Sequence, residues 1–281
     1  SDKIMTFSFW LKKGVEQEPI MSRHIDSNNR FQFYNLDGTG GLQLYQQVSG
    51  SVEMNLTHDR QLRDYHGWYH WVIAIDTTQA TDSNRVKIYI NGELLSGYST
   101  ATYPAQNADI LFNGSSVVQE IGRTNGNDYF NGSMSHFHFV DGAQLTPSYF
   151  GSTDATTGEW KFGGTGSITY GNNGFHILKD GNSVTDQSGN SNNFTVAGGS
   201  LTKTEDCPSD VFCTYNRNCN LNSSNELENG NTTQRQSSEV GQRQAIGTLG
   251  AKKGKYYAEF KMGNIGSNVG GSYPYVGVVL I

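Results

Sequence analysis

Apolar and polar residues alternate at every second position through much of the first half of the chain. Side chains alternate across a β-strand, so such a run predicts a strand with one face in a core. In residues 5–12 one face carries apolar side chains only: Met5, Phe7, Phe9 and Leu11, with Trp10 opposite. Similar runs follow at intervals of roughly ten residues, which is typical of an all-β sandwich or jelly roll. They span residues 19–24, 30–36, 42–48 and 51–57, with Gly, Asn and Asp between them.

The stretch 68–92 differs, because its first strand is apolar on both faces. Tyr69, Trp71 and Ile73 share one face of residues 68–76, and Val72 and Ala74 lie on the other. This pattern predicts a strand that is covered on both sides.

Residues 85–90 then alternate cleanly and end at Asn91-Gly92. Asn and Gly tolerate the positive φ angles of a two-residue turn, so a hairpin is expected here. Further strands are predicted at 117–123 and 132–141. Thr146-Pro147 has the residues of a helix start, and we expect one short helical turn there and essentially no other helix.

Beyond residue 150 the pattern weakens. We expect a jelly roll over residues 1–150, a turn-rich connecting segment over 151–206, and an extended arm with the first strands of a second sandwich over 207–281. Strand patterns return at 255–262 and 273–280. The chain starts and stops on apolar strand sequence, so we interpret it as part of a longer polypeptide.

Composition narrows the functional classes. The chain has 281 residues, a net charge of −6 and 12% aromatic residues. Nucleic-acid binding needs clustered Lys and Arg, and the acidic balance argues against it. No run approaches the ~20 apolar residues of a membrane span, and we expect no signal peptide. Cys207, Cys213 and Cys219 lack the paired spacing of zinc sites. We expect free buried thiols, although one disulfide with a third free thiol stays open.

Several longer stretches resemble one protein family. They include "WYHWVIAIDTTQATDSNRVKIYING" (68–92), "STATYPAQN" (99–107), "IGRTNGNDYFNGSMSHFHFVDGAQLTPSYFG" (121–151) and "GEWKFGGTGSITYGNNGFHI" (158–177). They are similar to the laminin-G-like, concanavalin A-type domain of tail-fibre and other virion proteins of tailed phages. "GKYYAEFKMGNIGS" and "PYVGV" resemble the opening strands of a SPRY-like domain, which follows in the same proteins. The first strand region of the family pattern is missing here, the SPRY-like part is truncated, and Cys207 and Cys219 depart from the pattern.

The resemblance implies an all-β concanavalin A-like jelly roll in a virion surface protein, made in the host cytoplasm. It implies no catalytic residue. We expect a tail-fibre or appendage protein that recognises a host-surface glycan and contacts other virion proteins, with a homotrimer expected by analogy. The alternatives are a capsid decoration or fibre-shaft module without ligand and, with less support, a polysaccharide depolymerase fragment.

Catalytic motifs are missing from the sequence. Glycosidases of this fold place alternating carboxylates on one strand, and no such stretch occurs. No nucleophile elbow, zinc-protease motif or phosphate-binding loop is present. We therefore predict a protein that is not an enzyme and needs no cofactor, with calcium as the one candidate.

Two groups of residues are candidate metal ligands. Asn125, Asn127 and Asp128 lie on a Gly-containing loop and offer the hard oxygen ligands that calcium takes; the same residue types also build ordinary tight turns. His136 and His138 lie two apart on one strand face, where identical chains meeting on an axis could share a metal. The alternative is an exposed or interfacial histidine pair without metal, with Phe137 and Phe139 facing the core.

Aromatic residues near loops form the candidate glycan site. Aromatic rings stack on sugar rings, and neighbouring Asn and Asp supply hydrogen bonds. The candidates are Tyr65, Trp68, Tyr98, Tyr103 and Tyr129. With so many aromatics in the chain, exposed rings without a ligand are the alternative.

Overall fold

The structure is a computed structural model of the chain. It describes residues 2–13, 18–35, 41–62, 64, 66–114, 118–126, 128–179, 183–216, 225–228, 231–236, 245–250 and 253–261. Tyr65, Asn127, Cys219 and the predicted strand 273–280 lie outside these ranges. The chain divides into two compact units, Ser1–Phe212 and Cys213–Ile281.

The described residues form short strands and very little helix. The strands are β1 (Ile4–Lys12), β2 (Glu18–Asp26), β3 (Asn29–Asn35), β4 (Leu42–Val48), β5 (Ser51–His58), β6 (Tyr69–Asp76), β7 (Val86–Ile90), β8 (Glu93–Leu94), β9 (Thr100–Thr102), β10 (Glu120–Ile121), β11 (Arg123–Thr124), β12 (Asp128–Tyr129), β13 (Ser133–Asp141), β14 (Gly151–Thr153), β15 (Trp160–Phe162), β16 (Phe175–Ile177), β17 (Tyr215–Asn216), β18 (Asn225–Glu228), β19 (Thr233–Gln236) and β20 (Ile246–Gly247). The predicted early strands agree with β1 to β7 to within about two residues at their ends.

Two six-stranded sheets build the first unit. The first sheet has the order β16-β13-β1-β6-β7-β8, and the second has the order β10-β2-β3-β4-β5-β9. Their strand pairs are antiparallel. One continuous core lies between the sheets, and most of its large side chains are aromatic, with Phe7 stacked on Phe139 at 5.0 Å between ring centroids. The all-β sandwich prediction is therefore confirmed.

The first sheet is covered on both faces, as the apolar pattern of residues 68–76 predicts. β6 is buried from His70 to Asp76. The outer face of the first sheet lies beneath the segment 143–179. There Val72 of β6 and Val140 of β13 form a second, smaller apolar cluster with Phe150. The segment 151–206 also contributes β16, which pairs with β13 at the edge of this sheet. The first compact unit thus includes the segment 151–206, for which the sequence pattern predicts mainly turns.

The turns follow the predicted chemistry. Asn91 and Gly92 both have positive φ, 49° and 83°, and join β7 to β8 as a tight hairpin. Pro147–Tyr149 forms the expected single turn, a 3-10 helix. We expected essentially no other helix, and the described residues add only two short pieces, the four-residue α-helix α1 (Asp82–Arg85) and a second 3-10 turn (Leu111–Asn113). Tertiary contacts support α1: the Arg85 guanidinium donates to backbone carbonyls of residues 79, 80 and 104.

The described part of the second unit contains two antiparallel strand pairs, β17 with β20 and the hairpin of β18 with β19. The predicted strand at 255–262 is not formed over 255–261, where the chain has no regular structure. Its aromatic side chains are exposed, Tyr256 by 70% and Tyr257 by 84%. An alternating sequence becomes a strand only when a neighbouring strand satisfies its backbone groups, and no described residue pairs with it. Of the cysteines, Cys207 is half-buried and Cys213 is exposed, and both are free thiols, so the expectation of burial is wrong for Cys213.

Candidate functional site

The outer face of the second sheet differs from that of the first sheet, because its side chains are polar and partly exposed. β3 and β4 alternate strictly, with Phe31, Phe33 and Leu44 in the core and the residues between them outward. A sheet with one buried and one solvated face is the expected result of such alternation. We refer to this surface as the open face.

Two rows of side chains cross the open face perpendicular to the strands. The strand register places directly opposed residues in each row, and side chains of opposed residues on one face lie about 4.5–5.5 Å apart at Cβ. The first row contains Pro19, Tyr34, Gln43, Thr57 and Thr100. The second row contains Ser22, Gln32, Tyr45, Asn55 and Thr102. The ten named residues are uncharged, but the second row continues from Ser22 to Glu120 on β10. Pro19 and Ser22, at the β2 end of the rows, are buried.

Hydrogen bonds between side chains hold these rows in place. The Oδ1 of Asn55 accepts from the Nε2 of Gln43 at 3.0 Å and from the Oγ1 of Thr57 at 3.0 Å. This arrangement fixes the amide of Asn55 and leaves its NH₂ group as a donor without a partner among the described residues. The Tyr45 hydroxyl donates to Gln47 at 3.2 Å, and the Arg30 guanidinium lies 5.3 Å from the Tyr45 ring centroid.

Tyr34 lies at the other end of the open face, beside β10, β11 and β12. Burial raises the pKa of its phenol, and a hydrogen bond with Thr124 acts in the opposite direction. Thr124 in turn accepts from the Nε2 of Gln32 at 3.2 Å. The two tyrosines of the open face therefore both have polar neighbours and hydrogen-bonded hydroxyls.

Three carboxylates lie on the open-face side of this sheet: Glu53 on β5, and Glu120 and Asp128, which both act electrostatically on Tyr34. Glu120 accepts from the Nε of Arg123 at 2.7 Å and from the Oγ of Ser22 at 3.3 Å. Glu53 lies on β5, four strand spacings from β10, or about 19 Å. Paired glycosidase carboxylates lie about 5–9.5 Å apart, so Glu53 and Glu120 do not form such a pair.

The aromatic residues predicted for the glycan site do not come together. Tyr98 and Tyr103 are half-buried and pack against the core, and Tyr98 makes an edge contact with His58. Trp68 is half-buried with the Nζ of Lys12 5.4 Å from its ring centroid. Tyr129 is 45% exposed, and its hydroxyl donates to the carbonyl of Gly126 at 3.3 Å. Tyr65 lies outside the described residues, so a site including these rings stays a prediction.

The predicted calcium loop forms a tight turn between β11 and β12. Asn125 has a φ of 47°, and Thr124 pairs with Asp128 across the turn. Asn127 lies outside the described residues. Among the described residues there is no group of three or more His, Cys, Asp or Glu side chains placed to hold a metal ion. Calcium binding at Asn125, Asn127 and Asp128 stays a prediction.

His136 and His138 lie inside the chain. They are 2% and 8% exposed and lie beneath the segment 143–179, with Phe137 and Phe139 in the core as the alternation predicts. His136 occupies a β-bulge with a φ of 48°. Metal binding on an axis between chains would require these rings to be uncovered, and this interface site remains a prediction.

The open face was not predicted from the sequence, although the sequence contains a signal for it. Tyr34 and Tyr45 lie at the polar positions of strands that alternate between apolar and polar residues, so their rings face away from the core. The register that places Tyr45 between Gln32 and Asn55 depends on which strands are neighbours, and the sequence pattern alone does not contain that information.

The two packed antiparallel sheets, one with a polar open face, define a protein of the concanavalin A-like sandwich class. The chain belongs to the family described as the concanavalin A-like lectin/glucanases superfamily, Laminin_G_3, whose model matches residues 1–149. That superfamily includes binding proteins and enzymes, as its description says. A comparison with curated proteins finds no match.

Among solved structures, the chain is similar to domain 4 of AbnA, a GH43 extracellular arabinanase from Geobacillus stearothermophilus, in complex with arabinotriose. The identity is 18% and the TM-score 0.39, covering 53% of this chain and 65% of that chain. The match thus spans less than two thirds of that domain. In the described part of this chain, no helix is long and apolar enough to cross a membrane.

Proposed function

We propose that this protein is a non-enzymatic virion surface protein of a tailed phage that recognises a host-surface glycan through the open face. The observation that carries the glycan part is the pair of polar rows, which place Tyr34 and Tyr45 among amides and hydroxyls. The phage and tail-fibre part is supported by the sequence resemblance described above.

The chemistry of the two rows favours a neutral saccharide. A tyrosine ring contacts the apolar face of a sugar, and amide groups both donate to and accept from its hydroxyls. Asn55 offers its NH₂ group in a fixed position, next to Tyr45 across the β4–β5 pair. A chain of sugars would lie across the strands, along the rows.

The separation of Glu53 from Glu120 supports binding without hydrolysis. The depolymerase alternative would require a carboxylate pair at the bound sugar, and the row residues on β3, β4, β5 and β9 carry no carboxylate. The other alternative is a capsid decoration or fibre-shaft module without a ligand. The main proposal also includes a homotrimer, contacts to other virion proteins and a SPRY-like domain that continues the chain.

Binding to an array of neutral and acidic bacterial polysaccharides tests the proposal, followed by calorimetry with the best neutral ligand. Tyr45→Ala is expected to weaken binding about fivefold or more, since stacking of this kind contributes on the order of 1 kcal/mol or more. Tyr129→Ala tests the predicted loop site in the same assay, and Tyr257→Ala is the exposed tyrosine control.

The outcomes separate the candidates. Loss of binding in Tyr45→Ala and in Tyr34→Ala, with Tyr129→Ala unchanged, supports the open face. Loss in Tyr129→Ala alone would place the site on the loops. Failure of every polysaccharide to bind would favour the decoration module, and release of reducing ends on incubation would favour the depolymerase.

A further inference from the structure

The hairpin of β11 and β12, here called the end hairpin, lies at one end of the open face. β10 pairs with β2 and extends the sheet, whereas β11 and β12 form a separate two-stranded sheet. Gly122 lies between β10 and β11 with a φ of 69°, and this left-handed turn takes the chain out of the plane of the larger sheet. The backbone N–H of Gly122 donates to the carbonyl of Ile20 at 2.9 Å, so the turn stays beside β2.

The end hairpin covers the outward side of β2. The Oγ of Ser22, a position of the second row, donates to the carbonyl of Arg123 at 2.9 Å. Ser22 and Pro19 are the row positions on β2, and both are buried although they belong to the face that points away from the core. Residues on that face are buried only where another part of the chain lies over them. The two rows are therefore accessible to a ligand only from β3 to β9.

Two residues of the end hairpin border the first accessible row positions. The Oγ1 of Thr124 accepts from the Nε2 of Gln32 at 3.2 Å, and Thr124 also shares a hydrogen bond with the Tyr34 hydroxyl. Asp128 is directly opposite Thr124 in the hairpin, and opposed side chains lie on the same face. Asp128 is exposed, and its charge acts on the Tyr34 phenol. A carboxylate acceptor thus lies on the side of the end hairpin that faces Tyr34.

The opposite end of the rows is open to solvent. β9 is the last strand of this sheet in the described part of the chain, and its row residues Thr100 and Thr102 are exposed. Three strand spacings separate β3 from β9, or about 14 Å in total. The accessible part of the rows is therefore a short strip with one closed end, at Tyr34, and one open end, at β9.

We propose that the open face binds the free end of a linear neutral glycan, with the terminal sugar at Tyr34 against the end hairpin. This inference rests on the proposed glycan recognition and deepens it, because it specifies which part of the glycan is bound. A glycan bound along the rows by an internal segment would continue past Tyr34, through the space that the end hairpin occupies. A terminal sugar keeps a hydroxyl that is replaced by a glycosidic oxygen in a linked sugar, and Asp128 can accept its hydrogen bond. Glu120 is already engaged by the Nε of Arg123.

The sugars that follow the terminal one lie along the strip toward β9. Tyr45 on β4 and Asn55 on β5 are one and two strand spacings from β3, so they meet the next sugars of the chain. A glycan on a cell surface is attached through one end and presents the other. A strip with a single closed end therefore suits a protein that approaches such a surface from outside.

The stoichiometry of binding distinguishes an end of the glycan from an internal segment. The probe is the linear neutral polysaccharide that binds most tightly on the array, partially hydrolysed with acid and separated by chain length, with a reducing-end assay to count the chains in each fraction. The two ends of a chain differ chemically, so we expect calorimetry to give one protein per chain at every length. Stoichiometry that rises in proportion to chain length would overturn the inference and leave glycan recognition by the open face intact. If no polysaccharide binds, the proposed function and this inference fail together.

Asp128→Ala is the informative variant, because Asp128 is exposed and its replacement leaves the core unchanged. It should weaken the binding of every fraction about fivefold or more, since hydrogen bonds to charged groups are stronger than those between neutral groups. Asp82→Ala removes the same charge from an exposed position on α1, beside the first sheet, and should leave the affinity unchanged. EDTA in every titration excludes a calcium ion at Asp128 as the cause. Unchanged binding by Asp128→Ala, with loss of binding in Tyr45→Ala, would overturn the assignment of the terminal sugar to the end hairpin.

Discussion

The imidazole of His70 accepts a hydrogen bond from the indole Nε1 of Trp160, with 2.9 Å between the two nitrogens. An indole nitrogen can only donate, so the Nδ1 of His70 carries no proton. The neutral ring then has its proton on Nε2, which donates to the Oγ of Ser8 at 2.9 Å. Trp10 stacks on the same imidazole at 4.7 Å between centroids. This arrangement attaches the covering segment, through β15, to the outer face of the first sheet.

Trp160→Phe should destabilise the first unit by about 1–3 kcal/mol, because it leaves the buried Nδ1 of His70 without its donor. Urea unfolding followed by circular dichroism measures the change. Trp68→Phe is the matched control, since the Nε1 of Trp68 is buried without a partner among the described residues. Equal destabilisation by the two substitutions would show that ring size, and not the hydrogen bond, stabilises this layer.

The stability of the fold should fall as the pH is lowered below about 6.5. Burial lowers the pKa of His70 to about 3. The unfolded chain therefore binds a proton between pH 6.5 and 3 that the folded chain does not, and stability decreases through this window. The effect of His70 is at most about 5 kcal/mol, at about 1.4 kcal/mol per pKa unit. His70→Gln should be less stable at pH 7 and should show a shallower pH dependence; an unchanged slope would contradict the assignment to His70.

Gly151→Ala should also destabilise the layer, by displacing the same tryptophan. A Cβ added at Gly151 would lie 2.7 Å from the Trp160 ring, closer than such atoms approach. The expected cost is about 1–3 kcal/mol, as for other overpacked sites. Gly250→Ala, where a Cβ meets nothing within 4 Å, should leave the thermal transition unchanged. Cooperative unfolding of Gly151→Ala at the wild-type temperature would mean that the ring can move aside without cost.

Asp206→Asn should cost about 3–5 kcal/mol, because it leaves the ammonium of Lys12 buried without its counter-ion. Lys12 and Asp206 form an ion pair in which both side chains are only 2% exposed. The double variant Lys12→Met with Asp206→Asn should recover much of that loss, as removal of both charges removes the penalty. Asp154→Asn breaks an exposed pair with Lys161 and should change the unfolding free energy by less than about 1 kcal/mol. A mild effect of Asp206→Asn alone would show that water reaches Lys12.

Glycan binding by the open face should be nearly independent of salt. The row residues on β3, β4, β5 and β9 carry no charge, so a neutral saccharide bound there has no ionic contact to screen. Calorimetry from about 0.05 to about 0.5 M NaCl measures the dependence, and the affinity is expected to change less than twofold. A steep fall with salt would indicate an acidic ligand at Arg30 instead.

Local pattern was sufficient for the strands and for the division into core and surface. Residues 42–48 alternate, and β4 has the same bounds. Asn91-Gly92 predicts its hairpin because the required positive φ angles are a property of those two residues. Residues 255–261 show the limit of this reasoning, since their strand-like pattern does not form a strand without a partner.

The sequence by itself determined that this chain is an aromatic-cored β-sandwich whose strand from 69 to 76 is covered on both faces, since side-chain alternation is a local property of the backbone. Only the tertiary structure decided which surface stays open and which histidines meet. Tyr45 and Asn55 are ten residues apart in sequence, yet His138 and His176 are thirty-eight apart and stack. Such neighbours depend on strand order and register, which are set by burial of the whole core and not by any single segment.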